Sequence, residues 1–191
     1  MTTKPTITTL LVAVALFLLS GRESHAQRFA VSTNTIDWFT FGTFNVDGAV
    51  GLNRGFSFHL GVEYNPWTFA KHKEGRQFQL RQATVEGTIR WWPWYVFSGW
   101  WVGMDIRHTA YNAGGFLMDG KSQEGYMTGG GFSGGYSLML ATHWNIDFGF
   151  GFWAGNRTYT VYDCPYCGTK TAEGNRMFIL PDARVAFVYL F

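Results

Sequence analysis

Phe56-Ser57-Phe58-His59-Leu60-Gly61-Val62-Glu63-Tyr64-Asn65 alternates apolar with polar or small side chains without a break. Side chains on a strand point to opposite faces in turn, so Phe56, Phe58, Leu60, Val62 and Tyr64 share one face and Ser57, His59, Gly61, Glu63 and Asn65 the other. The same period returns where Trp100, Val102, Met104 and Ile106 alternate with Trp101, Gly103, Asp105 and Arg107. It returns again where Trp144, Ile146, Phe148, Phe150 and Phe152 alternate with Asn145, Asp147, Gly149, Gly151 and Trp153. Val185, Phe187, Tyr189 and Phe191 share a face at the C-terminal end. Beyond the N-terminal segment no stretch carries a sustained 3.6-residue stripe, so the chain reads as strands.

Alternation alone also fits a soluble sandwich. Three features favour a membrane barrel. The segments run well past the roughly 5–6 residues of an average soluble strand. The non-greasy face carries Glu63, Glu86, Arg90, Asp105, Arg107, Asp147, Asp182 and Arg184, which suits a polar lumen. Trp67, Trp91, Trp92, Trp94, Tyr95, Trp100, Trp144 and Tyr189 gather near segment ends, as aromatic girdles at two lipid–water interfaces require. The expected fold class is therefore all-β, an eight-stranded antiparallel transmembrane β-barrel, because closure alone leaves no strand edge in lipid. The expected strands are 29–40, 44–52, 56–67, 77–91, 99–111, 125–140, 144–160 and 176–191. Longer links at 68–76, 112–124 and 161–175 alternate with short ones, apart from a short first connection at 40–43. In the fourth segment Phe78 and Leu80 lie on one parity and Val85, Ile89 and Trp91 on the other, so a bulge near Gln82-Ala83 is expected.

The chain opens differently. Lys4, an apolar run from Ile7 to Leu19, and Ser24-His25-Ala26 make a signal peptide over residues 1–26, cut after Ala26. The run falls short of the ~20 residues of a spanning helix. What remains, residues 27–191, is expected to be one outer-membrane β-barrel of a Gram-negative bacterium. Its formal charge of +2 for the whole chain supplies no basic stripe to displace counterions, which argues against a nucleic-acid partner.

Few residues propose chemistry. Cys164-Pro165-Tyr166-Cys167 matches the dithiol of redox enzymes, but it sits in a loop between barrel strands without the strand–helix setting that activates a thiol. A local disulfide in an oxidising compartment is the expectation, and no second cysteine pair offers a metal site. His59, His72, His108 and His143 are scattered, and with Ser98, Ser133 and Ser137 they show no spacing of a base-activated nucleophile. Glu86, Arg90, Asp105, Arg107, Asp182 and Arg184 are three acids and three bases on three strands. Buried charges must pair, so they are expected to plug the lumen as a cross-strand ion-pair network. Gly129-Gly130-Gly131 and Gly134-Gly135 lack the Lys-Ser/Thr of a phosphate loop and read as places of close backbone approach. The terminal Phe191 fits the C-terminal aromatic signal of assembled barrels.

Thr33-Asn34, Tyr64-Asn65-Pro66-Trp67-Thr68-Phe69, Tyr111-Asn112-Ala113-Gly114-Gly115, Gly134-Gly135-Tyr136, His143-Trp144-Asn145 and Cys164 to Cys167 with Gly168-Thr169-Lys170 together carry a resemblance. The chain resembles an uncharacterised outer-membrane barrel family of Bacteroidota, a domain of unknown function. Members are often encoded beside fimbrial or other envelope-assembly genes. The resemblance implies an accessory role and carries over no catalytic residue. The expectation is thus a non-enzymatic scaffold that meets outer-membrane lipid and an envelope protein complex, with no cofactor. A lipid-modifying enzyme, or a narrow channel or small apolar-ligand transporter, is the alternative.

Overall fold

A computed structural model describes residues 28–69, 78–115, 120–164 and 168–191. The expected signal segment and Cys167 lie outside them, as do residues 70–77 and 116–119. The described chain forms β1 (Phe29–Asn34), α1 (Thr35–Phe39), β2 (Phe44–Asn53), β3 (Phe56–Asn65), β4 (Thr68–Phe69), β5 (Phe78–Trp91), β6 (Gly99–Gly115), β7 (Ser122–Ala141), β8 (Trp144–Tyr162) and β9 (Lys170–Leu190). Every strand pairs antiparallel with its neighbours, and β9 returns to β1, closing the sheet into a ring. β3 and β4 both pair with β5 and form one stave, interrupted at Pro66-Trp67 where proline removes a ladder donor. The ring therefore has eight staves, as the alternation predicted.

The staves differ greatly in height. β7, β8 and β9 run 20, 19 and 21 residues, whereas β1 has six. Much of what composition marked as loops at 112–124 and 161–175 is strand that projects beyond the shorter side. The expected first strand to residue 40 is also corrected. Asn34 ends it, because its side-chain oxygen accepts from Ile36 N at 3.3 Å and starts α1. Asn45 takes over the lost ladder bonds: Asn34 N donates to Asn45 Oδ1 at 2.6 Å, and Asn45 Nδ2 donates to Asn34 O at 2.8 Å.

The expected bulge in β5 is absent. Its register runs unbroken from Phe78 to Trp91 against β6. Phe78 and Leu80 instead lie on the lumen parity at the tall end. There Phe78 packs on Phe41 at 4.7 Å and stacks near Phe69 at 6.0 Å, sealing the turn after α1 against β4.

Outside, the wall is apolar. Phe56, Phe58, Leu60, Val85, Ile89, Val102, Met104, Ile106, Phe132, Phe148, Phe150 and Phe152 are all exposed. A contiguous belt of this kind is far larger than a soluble monomer leaves in water, and it is compatible with an outer-membrane β protein. Trp91, Trp94, Trp100 and Trp144 edge the belt at the end holding the termini, and Trp67 edges it at the other. Trp92 does not belong with them. It points inward and is 2% exposed, because the turn after β5 folds back into the barrel mouth. At the terminal end Phe191 N donates to Phe29 O at 2.9 Å, and its ring meets Tyr189 edge-on at 4.9 Å.

Candidate functional site

The lumen is built rung by rung from inward side chains. Large ones come from β3, β5, β6 and β9, and β7 and β8 face them mainly with glycine. One rung runs Trp101, Gly135, Gly149, Arg184, and the next above it runs Arg90, Gly103, Ser133, Gly151, Asp182. A Cβ at Gly149 would lie 2.9 Å from Trp101 Cζ2, so the missing side chain is what admits the indole. The glycine-rich motif is therefore a smooth wall against which the plug packs.

At the terminal end the plug is aromatic. Trp92, Phe97 and Trp101 are buried together, with Phe97 held at φ 63° and its carbonyl accepting from Asn145 Nδ2 at 2.7 Å. Beside them runs a hydrogen-bonded chain. Trp92 Nε1 donates to Ser57 Oγ at 2.9 Å, Ser57 Oγ meets His59 Nε2 at 2.9 Å, and His59 Nδ1 meets Asp47 Oδ1 at 3.1 Å. An ionised Asp47 only accepts, so His59 carries its proton on Nδ1 and takes the Ser57 hydroxyl proton's bond on Nε2. Serine, histidine and aspartate stand in the order of a nucleophilic triad. Ser57 is nonetheless 0% exposed, and the nearest cavity, about 10 Å³, cannot hold a substrate.

Higher up, the waist is ionic. Arg90 Nη1 donates to Asp147 Oδ2 at 2.6 Å, from β5 to β8, with its guanidinium 3.9 Å from the Trp101 ring. Arg184 Nη2 donates to Ser32 Oγ at 2.7 Å and reaches Asp47 Oδ1 at 3.5 Å. A second cluster centres on Arg107, whose Nη2 lies 2.6 Å from Glu86 Oε2 and 2.7 Å from Asp182 Oδ2, beneath the Trp153 ring. Thr88 Oγ1 donates to Glu86 Oε1 at 2.7 Å. Removing charges from water is costly, and the short arginine contacts of Asp147, Glu86 and Asp182 offset that cost, while Asp47 is held by longer contacts to His59 and Arg184.

Five of the six charges singled out from sequence are thus ion-paired. Asp105 faces the lumen, but among the described residues its Oδ2 has no hydrogen-bond partner and no cation lies within 4.0 Å, so it is not a member of the network. Its register partners Thr88 and Gly131 bring no cation to it. Asp47 and His59 are members that the sequence pattern does not assemble, and Asp147 is lumenal by parity without a partner named by it. Their signal was parity: each sits on the polar face of its strand. A cavity of about 50 Å³ remains at the waist, lined by Asp37, Arg90, Arg107 and Arg184 among others. Beyond it, toward the tall end, the lumen widens to a vestibule of about 810 Å³ lined by Gln82, Tyr111, Gly125, Tyr159 and Gly174.

These features define the class: a ring-closed antiparallel barrel with a side-chain-filled waist and a vestibule at one end. The chain belongs to the family described as "Protein of unknown function (DUF3575)", which it matches over residues 10–191. No curated protein matches it.

Proposed function

We propose that this protein is a non-enzymatic, integral outer-membrane barrel that serves as accessory or scaffold subunit of a cell-envelope assembly, such as a fimbrial one. In this reading residues 1–26 direct export, a Cys164–Cys167 disulfide pins the last outer loop, and the ion-paired waist blocks solute passage.

The observation that carries the reading is the open edge of β9. β1 covers β9 only from Ala186 to Leu190, while β8 pairs with it up to Lys170. Val185 N donates toward β1, to Asn34 Oδ1 at 3.0 Å, so the odd-numbered residues above it turn their N–H and C=O to the same side, where Asn34 Nδ2 still reaches Ala183 O at 3.5 Å and no described strand pairs with β9 beyond it. Pro181 fits that rule, since its missing donor costs the β8 ladder nothing. Met177 and Ile179 are 84% and 74% exposed beside it. Unpaired peptide groups at the membrane are expensive, and an added strand satisfies them. Two copies inserted the same way up cannot pair their β9 edges antiparallel without inverting one. Same-way-up copies could join these edges only in parallel, the less stable pairing, so the reading takes the occupant to be an extended segment of another envelope protein.

The test is recovery of the tagged protein from its own outer membrane in mild detergent, with mass spectrometry of what copurifies. A stoichiometric partner lost in Met177→Pro and Ile179→Pro supports the reading, because both changes delete edge donors and spare the β8 ladder. A barrel recovered alone overturns it, and then lipid analysis and conductance address the enzyme and channel alternatives.

A further inference from the structure

We propose that Arg157 and Arg176, with Tyr111 and Tyr159, form a binding site for a phosphate-bearing dianion that enters the vestibule from its open end. Arg157 and Arg176 are direct register partners on β8 and β9, and both lie on the lumen parity. Like charges directly opposite on a sheet repel, and neither arginine has an acid within 4.0 Å among the described residues. Their guanidinium groups share one aromatic support: Arg157 lies 5.3 Å and Arg176 5.9 Å from the Tyr159 ring, and Arg157 also lies 6.0 Å from Tyr111.

The acids nearby are otherwise engaged or turned away. Glu124, which also lines the vestibule, accepts from Asn112 Nδ2 at 3.1 Å and from the Tyr162 hydroxyl at 2.6 Å. Glu63 accepts from Gln82 Nε2 at 3.4 Å. Glu173 lies at the vestibule wall on the opposite parity of β9 from Arg176. Tyr111 Oη is buried with no hydrogen-bond partner among the described residues, so its hydroxyl is free to meet a water or an incoming ligand.

Two adjacent positive charges and an unsatisfied hydroxyl match a tetrahedral phosphate of charge near −2, which takes forked donors from both arginines at once. A carboxylate would leave one cation uncompensated. The one rung of Tyr111, Gly125, Tyr159 and Gly174 alternates ring and glycine, so the vestibule stays open above the pair. Gly174 is required there because a Cβ would meet Tyr159 Oη at 2.9 Å.

The experiment is calorimetric titration of the barrel in neutral detergent at low salt, with inorganic pyrophosphate and with short-chain phosphatidic acid as probes. Saturable binding of both assigns the site to phosphate from any source, and binding of phosphatidic acid alone assigns it to a lipid headgroup. Arg157→Gln and Arg176→Gln each weaken binding roughly tenfold, and Tyr111→Phe weakens it by a smaller factor. Arg54→Gln, on the Tyr95 ring at the terminal end, leaves binding unchanged. Because the pair repels when empty, the double glutamine variant melts at or above the wild-type temperature without ligand. Absence of binding by either probe, undiminished binding in the double variant, or a lower unliganded melting temperature overturns the proposal.

Discussion

Arg90 and Asp147 meet at 2.6 Å across the lumen, although β6 and β7 stand between their strands in the wall. Both side chains are almost wholly buried, so neither can recover its hydration if the other is lost. Arg90→Ala or Asp147→Ala is expected to destabilise the barrel by about 3–5 kcal/mol, while Arg90→Met with Asp147→Leu stays close to wild type. Urea unfolding in detergent micelles, followed by tryptophan fluorescence, measures both. Equal losses for single and double variants would refute the pairing as the cause.

Gly149 is a steric partner of Trp101. Gly149→Val sets a branched side chain against the indole, and about 1–3 kcal/mol of stability is expected to go. Trp101→Leu in the same chain is expected to restore part of it. The readout is the fraction of protein that keeps the fast gel mobility of a folded barrel on warming. A Gly149→Val variant as stable as wild type would show that the wall tolerates bulk.

Ser57 should stay silent toward a serine-directed fluorophosphonate in the folded protein. Its Oγ already accepts from Trp92 Nε1 and has no path to solvent. Intact-mass analysis after incubation tests this, and stoichiometric labelling would turn the buried chain of Ser57, His59 and Asp47 into a reactive centre.

Single-channel recording addresses the waist. Wild-type protein in a planar bilayer is expected to show no steady conductance. Combined Trp92→Ala, Phe97→Ala and Trp101→Ala, with the ion pairs intact, should add at most brief flickers. A large, stable wild-type conductance would exclude a closed lumen.

Asn34→Ala removes a helix cap and the acceptor for Val185 N–H together. A loss of about 0.5–2 kcal/mol is expected for the cap. Amide exchange at Val185 should accelerate while exchange in β7 does not. Unchanged protection at Val185 would mean that the side chain does not hold the seam.

Parity makes the barrel legible in the sequence. Phe56 to Asn65 and Trp144 to Trp153 keep one alternation along their full length, and a wall with lipid on one side and a filled lumen on the other imposes just that. Asn34 escaped because helix capping and strand continuation share the same short polar residue, and only the Asn45 exchange decides between them. Trp92 escaped because a tryptophan at a strand end suits an interface and a plug equally. The six charges were recognisable as lumenal, but partners are set by register across several strands, which one sequence does not display. Gly103 is the glycine that makes room for the arginine, since a Cβ there would lie 3.2 Å from Arg90 Cγ. Phe78 and Leu80 looked like a slipped register because parity assumes that every greasy side chain faces lipid, and at the rim they face Phe41 and the interior.

The brevity of β1 has a mechanical consequence. First and last staves are the last to join when a ring forms, and here that final zipping involves only Ala30–Asn34 against Ala186–Leu190. Prying β8 from β9 would mean breaking a ladder from Trp144 to Tyr162. β1 is held as briefly on its other side, where only Phe29–Ser32 pair with Asp47–Val50 of β2. Force applied to the wall would concentrate at these two short clasps around β1, the place where this fold can yield without being dismantled.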